Sequence, residues 1–489
     1  MTGSLTAEPR QEPAGAPEPA PAPRTRRLLG TTSLLVGCLA VATGSLATPA
    51  MLGFDPWVWL IWGREAVHGR LATDGTVAWK PLPVLVTALL APFGSAAPAL
   101  WTVLARAGGL FGLILVFRLA ARFTGPAGRF GAPAAGLVAV AAFLLTPDTE
   151  ARWVRHLLQG NIEPVTVALC LWAVERHLDG RRGQAVLLGC AACLTRPEAW
   201  PMFLIYAGWV LWQGPRRWWL VLPALAAVPL LWFGGDRLVS GSPLGGANAA
   251  RVLLGTGNQR LLLGLDAVAN TVIAPVWMAA AVGLVWAAHR RRAAPVLLAA
   301  AAVVWMAEVA VMSGLFGYAA LGRFLAPAAA VLCILTGVAV GWLLHAPRRT
   351  TLRVGLAVVL AAGTLPAALP RLGWLPAQFA AAAERAAYES DLDRMLARIG
   401  RDRIVSCGLP SSMDTARPAV EFRPALAWKL DLPLSGVGYV LVNGVGMTFA
   451  QRDSILDRYL QTLPPAEADP VLRTDRWIAY KQRCPMTPG

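Results

Sequence analysis

The residues able to do chemistry lie at the ends of apolar runs. Asp55 follows the first run, beside Pro56, and Glu163 opens a later one in QGNIEP. Arg196 and Glu198 form an Arg-Pro-Glu tripeptide between two further runs. Asn248 and Arg251 lie in a polar loop, and Arg323 opens a late run before FLAP. Ionisable groups at membrane depth are costly unless paired, so each calls for a role. A carboxylate at a membrane surface can take the proton of a sugar hydroxyl as general base. It can also help to hold a divalent cation through oxygen ligands. Arginines can clamp a phosphate bidentately. Glycosyl transfer from a lipid phosphate needs both elements: a base for the acceptor and positive charge for the departing phosphate. Each group also has a structural reading. Asp55 can cap or anchor a helix, Arg196 and Glu198 can form an ion pair tying two segments, and Arg323 can reach lipid headgroups.

The elements that must position these residues follow from composition. The chain has 489 residues, 56% hydrophobic and only 15% charged, with a mean hydropathy of +0.52. A soluble enzyme, a disordered chain and a disulfide scaffold are excluded by these values. Apolar runs of about 20 residues recur, which is the pattern of a polytopic helical membrane protein. The net charge of +16 does not indicate nucleic acid. Only three of the 44 basic residues are lysines (Lys80, Lys429, Lys481), and many arginines sit in short loops between apolar runs. That is the positive-inside pattern.

Placing the loops with Arg118, Arg122 and Arg129, with Arg176, Arg181 and Arg182, with Arg216 and Arg217, with Arg290–Arg292 and with Arg348 and Arg349 in the cytoplasm gives about eleven transmembrane helices. They fall near 28–50, 98–120, 132–147, 164–178, 184–196, 198–213, 217–235, 268–288, 294–314, 323–344 and 351–370. The expected fold is an all-α polytopic membrane protein with a small C-terminal extracytoplasmic α/β domain. Residues 1–27 read as a disordered cytoplasmic tail, 28–370 as the transmembrane domain and 371–489 as the extracytoplasmic domain. All the candidate residues then reach one face, the outer one. Residues 55–68 read as an amphipathic helix lying in the membrane interface, with Trp57, Trp59, Trp62 and Trp79 at that depth.

In the C-terminal region, 377–400 and 453–463 read as helices. Residues 403–408, 438–444 and 476–482 read as strands. Cys407 and Cys484 each end a strand in an oxidising place. A disulfide between them and two separate buried thiols are both open. The domain either binds an acceptor or caps the membrane domain. Cys190 and Cys193 have CxxC spacing within an apolar span and read as small buried hydrophobes.

Six segments, in order, resemble those of the GT-C class of membrane glycosyltransferases. FDPWVWLIWGRE (54–65) looks like the acidic motif of the first outer loop, and WKPLP (79–83) is similar to the Lys-Pro-Pro-Leu segment of aminoarabinose and protein-mannosyl transferases. QGNIEP (159–164) and LTRPEA (194–199) resemble segments of arabinofuranosyl- and mannosyl-transferases. GSPLGGANAAR (241–251) and GRFLAP (322–327) are similar to a later loop and the start of a late span in that group. The resemblance covers about residues 30–345. It implies transfer of a hexosyl or pentosyl group from a polyprenyl-phosphate sugar to a cell-envelope glycan or lipid, on the outer face of a bacterial plasma membrane. It makes Asp55 the base or a metal-associated acid, and Glu163 a second acid. Arg196, Arg251 and Arg323 would meet phosphate, with Glu198 and Asn248 alongside and Lys80 reaching in from the first loop. Where many members have two adjacent acids, this chain has Asp55-Pro56, so a requirement for Mg2+ or Mn2+ is left open. Two other function classes stay in view: a transporter or flippase of a lipid-linked molecule, and a catalytically inactive scaffold. No clear internal repeat favours transport.

Overall fold

The computed structural model describes residues 24–73, 76, 79–125, 128–147, 152–251, 256–344, 350–411, 422–438 and 445–484. The chain begins with α1 (Arg24–Gly44), α2 (Phe54–Val67), α3 (Pro81–Leu90), α4 (Ala97–Thr124) and α5 (Gly128–Leu145). The short α6 (Trp153–Leu158) leads into α7 (Glu163–Leu178), α8 (Arg182–Cys193), α9 (Trp200–Gln213) and α10 (Trp218–Pro229). A π turn joins α10 to α11 (Gly235–Ser240), which is followed by α12 (Gly245–Ala249). Then come α13 (Gly257–Ala269), α14 (Ala274–His289), α15 (Ala293–Phe316), α16 (Ala326–Leu343) and α17 (Thr350–Leu372).

The bundle is built around α16. Of its span, 83% of residues are buried, against 17% for Trp218–Ser240 on the periphery. It packs on α4, α5, α14 and α15. Close helix crossings in lipid need small residues, and Gly283 and Gly337 supply them. A Cβ on Gly283 would collide with the Leu335 carbonyl, and one on Gly337 with the Ala135 carbonyl. Around the rim, Trp212, Trp218 and Trp219 are exposed beside Arg216 and Arg217. That is an aromatic and basic girdle of the kind found at a membrane interface.

Among the described residues, five helices are long and apolar enough to cross a membrane, six if the pair α13–α14, bent by 74°, counts as one. Other apolar runs expected to span form shorter helices. α8 and α9 have 12 and 14 residues, about 18 and 21 Å of rise against a core of about 30 Å. Arginine spacing marks where segments turn, not how deep they go.

The C-terminal region holds α18 (Trp374–Ile399), α19 (Arg401–Ser406), α20 (Phe422–Lys429), β1 (Gly446–Gln451), α21 (Ile455–Gln461), β2 (Asp469–Arg473) and β3 (Trp477–Gln482). The sheet is antiparallel in the order β1-β3-β2, with Thr448 opposite Tyr480. The helices near 377–400 and 453–463 and the strand near 476–482 lie where expected. Residues 403–408 are helical instead. Their β-branched pair Ile404–Val405 suggests a strand, but Ile404 is fully buried as part of a six-residue helix started by Gly400 at φ +86°. Most of the 438–444 segment lies outside the described residues. Cys407 therefore follows a helix rather than a strand, and it is joined to Cys484 beyond β3 with the Cα atoms 5.1 Å apart. The link closes a loop with a sequence separation of 77. Replacing Cys407 by Ser is expected to cost about 2–4 kcal/mol, chiefly through the freed unfolded chain. Thermal unfolding with and without reductant measures it. Reductant should lower the wild-type midpoint and leave the variant unmoved.

α2 does not lie exposed in the interface. Pro56–Gly63 are all buried, because α3 covers one side and α20 another. A helix apolar on every face is a buried helix. Trp57, Trp59 and Trp62 join the core of the C-terminal layer instead of facing headgroups. Arg64 fastens the two: its Nη2 donates to the Leu432 carbonyl at 2.8 Å, and its Nη1 lies 2.7 Å from Asp431. Beside it, Glu65 is buried with Oε1 unpartnered and only a 3.5 Å contact from the Ala72 amide to Oε2. Burial pushes its carboxyl up to about 7, against which the Ala72 contact and Arg64 do little. A raised carboxyl stabilises the fold while protonated and loses that contribution as pH climbs through the folded value. Glu65→Gln is therefore expected to melt close to wild type near about pH 5 and above it near about pH 8.5. Parallel melting curves for both proteins at the two pH values decide this.

Candidate active site

Three turns bring the site together. The Gly53 amide donates to the Gln159 carbonyl at 2.9 Å, fixing the start of α2 against the QGN turn before α7. The approach is so close that a Cβ on Gly53 would stand 2.9 Å from Asn161 Oδ1. The Leu82 amide donates to the Leu194 carbonyl at 3.1 Å, tying the start of α3 to the TRPE turn. Thr166 and Thr195 hydroxyls are 2.9 Å apart, tying that turn to α7. Trp200 and Trp232 both donate to the Cys193 carbonyl, at 3.1 and 2.9 Å. Each candidate side chain thus hangs from a helix start, held by backbone bonds to the next.

The outcome is one charged cluster. Lys80 Nζ is 3.0 Å from Asp55 Oδ2 and lies over the Trp59 ring at 4.7 Å. Arg323 stands between the two acids, 3.9 Å from Asp55 and 3.7 Å from Glu163. Arg196 is 3.4 Å from Glu163 and forks onto Glu198 through Nη2 at 2.8 Å and Nε at 3.2 Å. Its guanidinium also stacks on Phe324 at 3.7 Å. Exposure separates the cations: Arg323 is 28% exposed, Lys80 11% and Arg196 5%. Burial alone would raise the Asp55 carboxyl, but Lys80 and Arg323 together outweigh it and hold it below the usual carboxylate range. Asp55 is accordingly ionised at neutral pH.

Six of the eight sequence candidates, Asp55, Lys80, Glu163, Arg196, Glu198 and Arg323, therefore meet. Asn248 and Arg251 do not join their contacts. Both are exposed, and Arg251 pairs through its backbone with Tyr318 in the loop before Arg323. Their loop nevertheless borders the site. It is folded by buried Asp236, which accepts from the Gly246 amide at 2.9 Å, and a Cβ on Gly246 would touch Trp79, the neighbour of Lys80.

Sequence reasoning missed three participants. His156 lies 4.0 Å from Glu163 and shares Asn161 with Gln159. Its signal was proximity to QGN. Phe324, one residue after Arg323, is the platform for Arg196. Glu308 sits within α15 with a buried, unpartnered Oε2 and within electrostatic range of Glu198. An acid inside an apolar run was its signal.

The donor set does not suit a divalent cation. Asp55 and Glu163 already face three cationic side chains. Among the described residues no three His, Cys, Asp or Glu side chains converge in a way that would hold a metal ion. Glu65, ten residues beyond Asp55 on α2, is about 15 Å away by helical rise. Asp148, the other acid the sequence offers as a second carboxylate beside Asp55, lies outside the described residues.

Neither a known family model nor a curated protein matches the chain. Solved structures do, two of ArnT among them. The apo state of ArnT from Cupriavidus metallidurans is similar with a TM-score of 0.50 and 17% identity, covering 93% of this chain and 98% of that one. ArnT from the same organism bound to undecaprenyl phosphate is similar with a TM-score of 0.49 and 16% identity, covering 92% and 98%. The likeness is one of fold: the expected architecture, a helical bundle carrying a small C-terminal sheet, is the one observed.

Proposed function

We propose that the chain is a membrane glycosyltransferase that moves a sugar from a polyprenyl-phosphate donor to an extracytoplasmic acceptor of the bacterial envelope. The observation that carries this is the cluster itself. An ionised carboxylate, Asp55, sits beside a partly exposed guanidinium, Arg323, at one end of a membrane bundle. The acceptor hydroxyl oxygen attacks the anomeric carbon, and its proton passes to Asp55. The bond from that carbon to the phosphate oxygen breaks, and its electron pair leaves on the phosphate. Arg323 and Lys80 receive the growing negative charge. In doing so they turn away from Asp55, which removes the groups that hold its carboxyl low and makes it a stronger base. Arg196, forked and stacked, positions Glu163 and the 323–324 turn. Their separation from the midplane of the bundle disfavours transport.

The test is a transfer assay in proteoliposomes, with a panel of polyprenyl-phosphate sugars and an envelope-extract acceptor. Acceptor-dependent release of polyprenyl phosphate, with sugar recovered on the acceptor, is the expected result. Donor crossing the bilayer intact, without release, would identify a flippase instead.

A further inference from the structure

A second charged site lies at the other end of the bundle. α4 and α7 pack side by side, and α1 packs on α4 with its end by Arg106 and its start by Arg118 and Arg122. Arg106 on α4 donates to Ser45 at the end of α1, and Arg118, three turns on, reaches Glu175. From Glu163 to Arg176 the rise of α7 is about 20 Å. There, between the three helices, is a cavity of about 510 Å³ lined by Gly30, Thr31, Leu34, Arg118, Arg122, Arg176 and Asp179. Cavities of about 300–1,000 Å³ hold small ligands or headgroups.

The charges there are not balanced. Among the described residues, Arg118, Arg122 and Arg176 pair with two acids, Glu175 and Asp179. Arg122 uses both terminal nitrogens, on Asp179 and the Leu178 carbonyl, each at 2.8 Å. Arg118 spends only its Nε, 2.8 Å from Glu175, and is 36% exposed. Its two terminal amino groups carry four N–H donors that take no protein acceptor among the described residues. Arg176 is 97% covered, 3% exposed, yet its Nε is buried without a hydrogen-bond partner. A Cβ on Gly30 would meet open space.

We infer that this cavity binds a phosphate-bearing anion, held by the free edge of the Arg118 guanidinium with Arg122 and Arg176 behind it. A planar guanidinium edge matches two phosphate oxygens. Leu34 supplies an apolar side to the cavity, and Val36 and Leu39 on the same helix are exposed. Basic pockets between helices at a membrane surface take acidic lipid headgroups. The inference stands apart from the catalytic reading, since no residue is shared.

Native mass spectrometry of the full chain, released from detergent with phosphatidylglycerol, phosphatidylcholine or inorganic phosphate, tests it. Wild type is expected to keep one phosphate-bearing adduct. Arg118→Gln should bind about tenfold more weakly, the loss of one charge-assisted contact. Adducts of phosphatidylglycerol alone identify a lipid headgroup as the source; adducts of inorganic phosphate as well identify the phosphate group. Leu34→Trp fills the cavity while leaving every ion pair in place, so it serves if Arg118→Gln does not fold. Equal adduct formation by wild type and Leu34→Trp, or by wild type and folded Arg118→Gln, overturns the inference, as does no adduct from any of the three probes.

Discussion

Asp55→Asn is expected to lower sugar transfer by about 10²–10⁴-fold, the range for loss of a positioned general base. The amide keeps the shape and can still accept from Lys80, which lies 3.0 Å away. It cannot take a proton from the acceptor. Burial would raise the Asp55 carboxyl, but Lys80 and Arg323 hold it lower. The acid limb of kcat/KM in wild type should therefore fall below the usual carboxylate range, and it should vanish in the variant. Donor binding is expected to persist, because Arg323 and Lys80 remain and lose a competitor. A pH profile of transfer, paired with a donor-binding isotherm, separates these outcomes. Full transfer by folded Asp55→Asn would falsify the assignment. Loss of donor binding with unchanged chemistry would move Asp55 from base to positioning residue.

The residues of the charged cluster were more legible in the sequence than the lengths of the helices were. Asp55, Glu163, Arg196 and Arg323 stand at helix starts, where an ionisable residue in an apolar chain is conspicuous. Arginines in short loops then placed them on one face. Neither signal depends on helix length, which is why the short α8 and α9 did not disturb the reading. Helix α2 was harder. Its three tryptophans and Arg64 imitate an interfacial helix, and only the packing of α20 reveals that it is buried. That contact joins residues more than 360 positions apart, which local pattern cannot express. Ile404–Val405 failed for a similar reason: a short β-branched pair carries weak preference, and the tertiary burial of Ile404 decides its state. Phe324 and His156 went unnoticed because a platform and a distant imidazole have no motif of their own.

Arg196→Met is expected to damage the protein more than the chemistry alone explains. Arg196 is 5% exposed and serves two carboxylates, Glu163 at 3% and Glu198 at 11% exposure. Removing it leaves two buried acids, Glu163 with Arg323 at 3.7 Å and Glu198 without the guanidinium that pairs with it. Breaking a buried ion pair from one side costs about 3–5 kcal/mol, whereas an exposed pair costs about 0–1 kcal/mol. The stacking on Phe324 is lost too, and that ring belongs to the turn that carries Arg323. Arg196→Lys keeps the charge but has neither the fork for Glu198 nor the plane for Phe324, so it is expected to recover only part of the stability. Glu198→Gln added to Arg196→Met should restore some of it, since one uncompensated charge goes. The four-protein cycle of wild type, two single variants and the double variant, followed by thermal unfolding in one detergent, yields the coupling between the pair. A coupling near zero would place Arg196 with the phosphate-binding groups. A large one makes it the pin that holds α7, the TRPE turn and the start of α16 in register around Asp55.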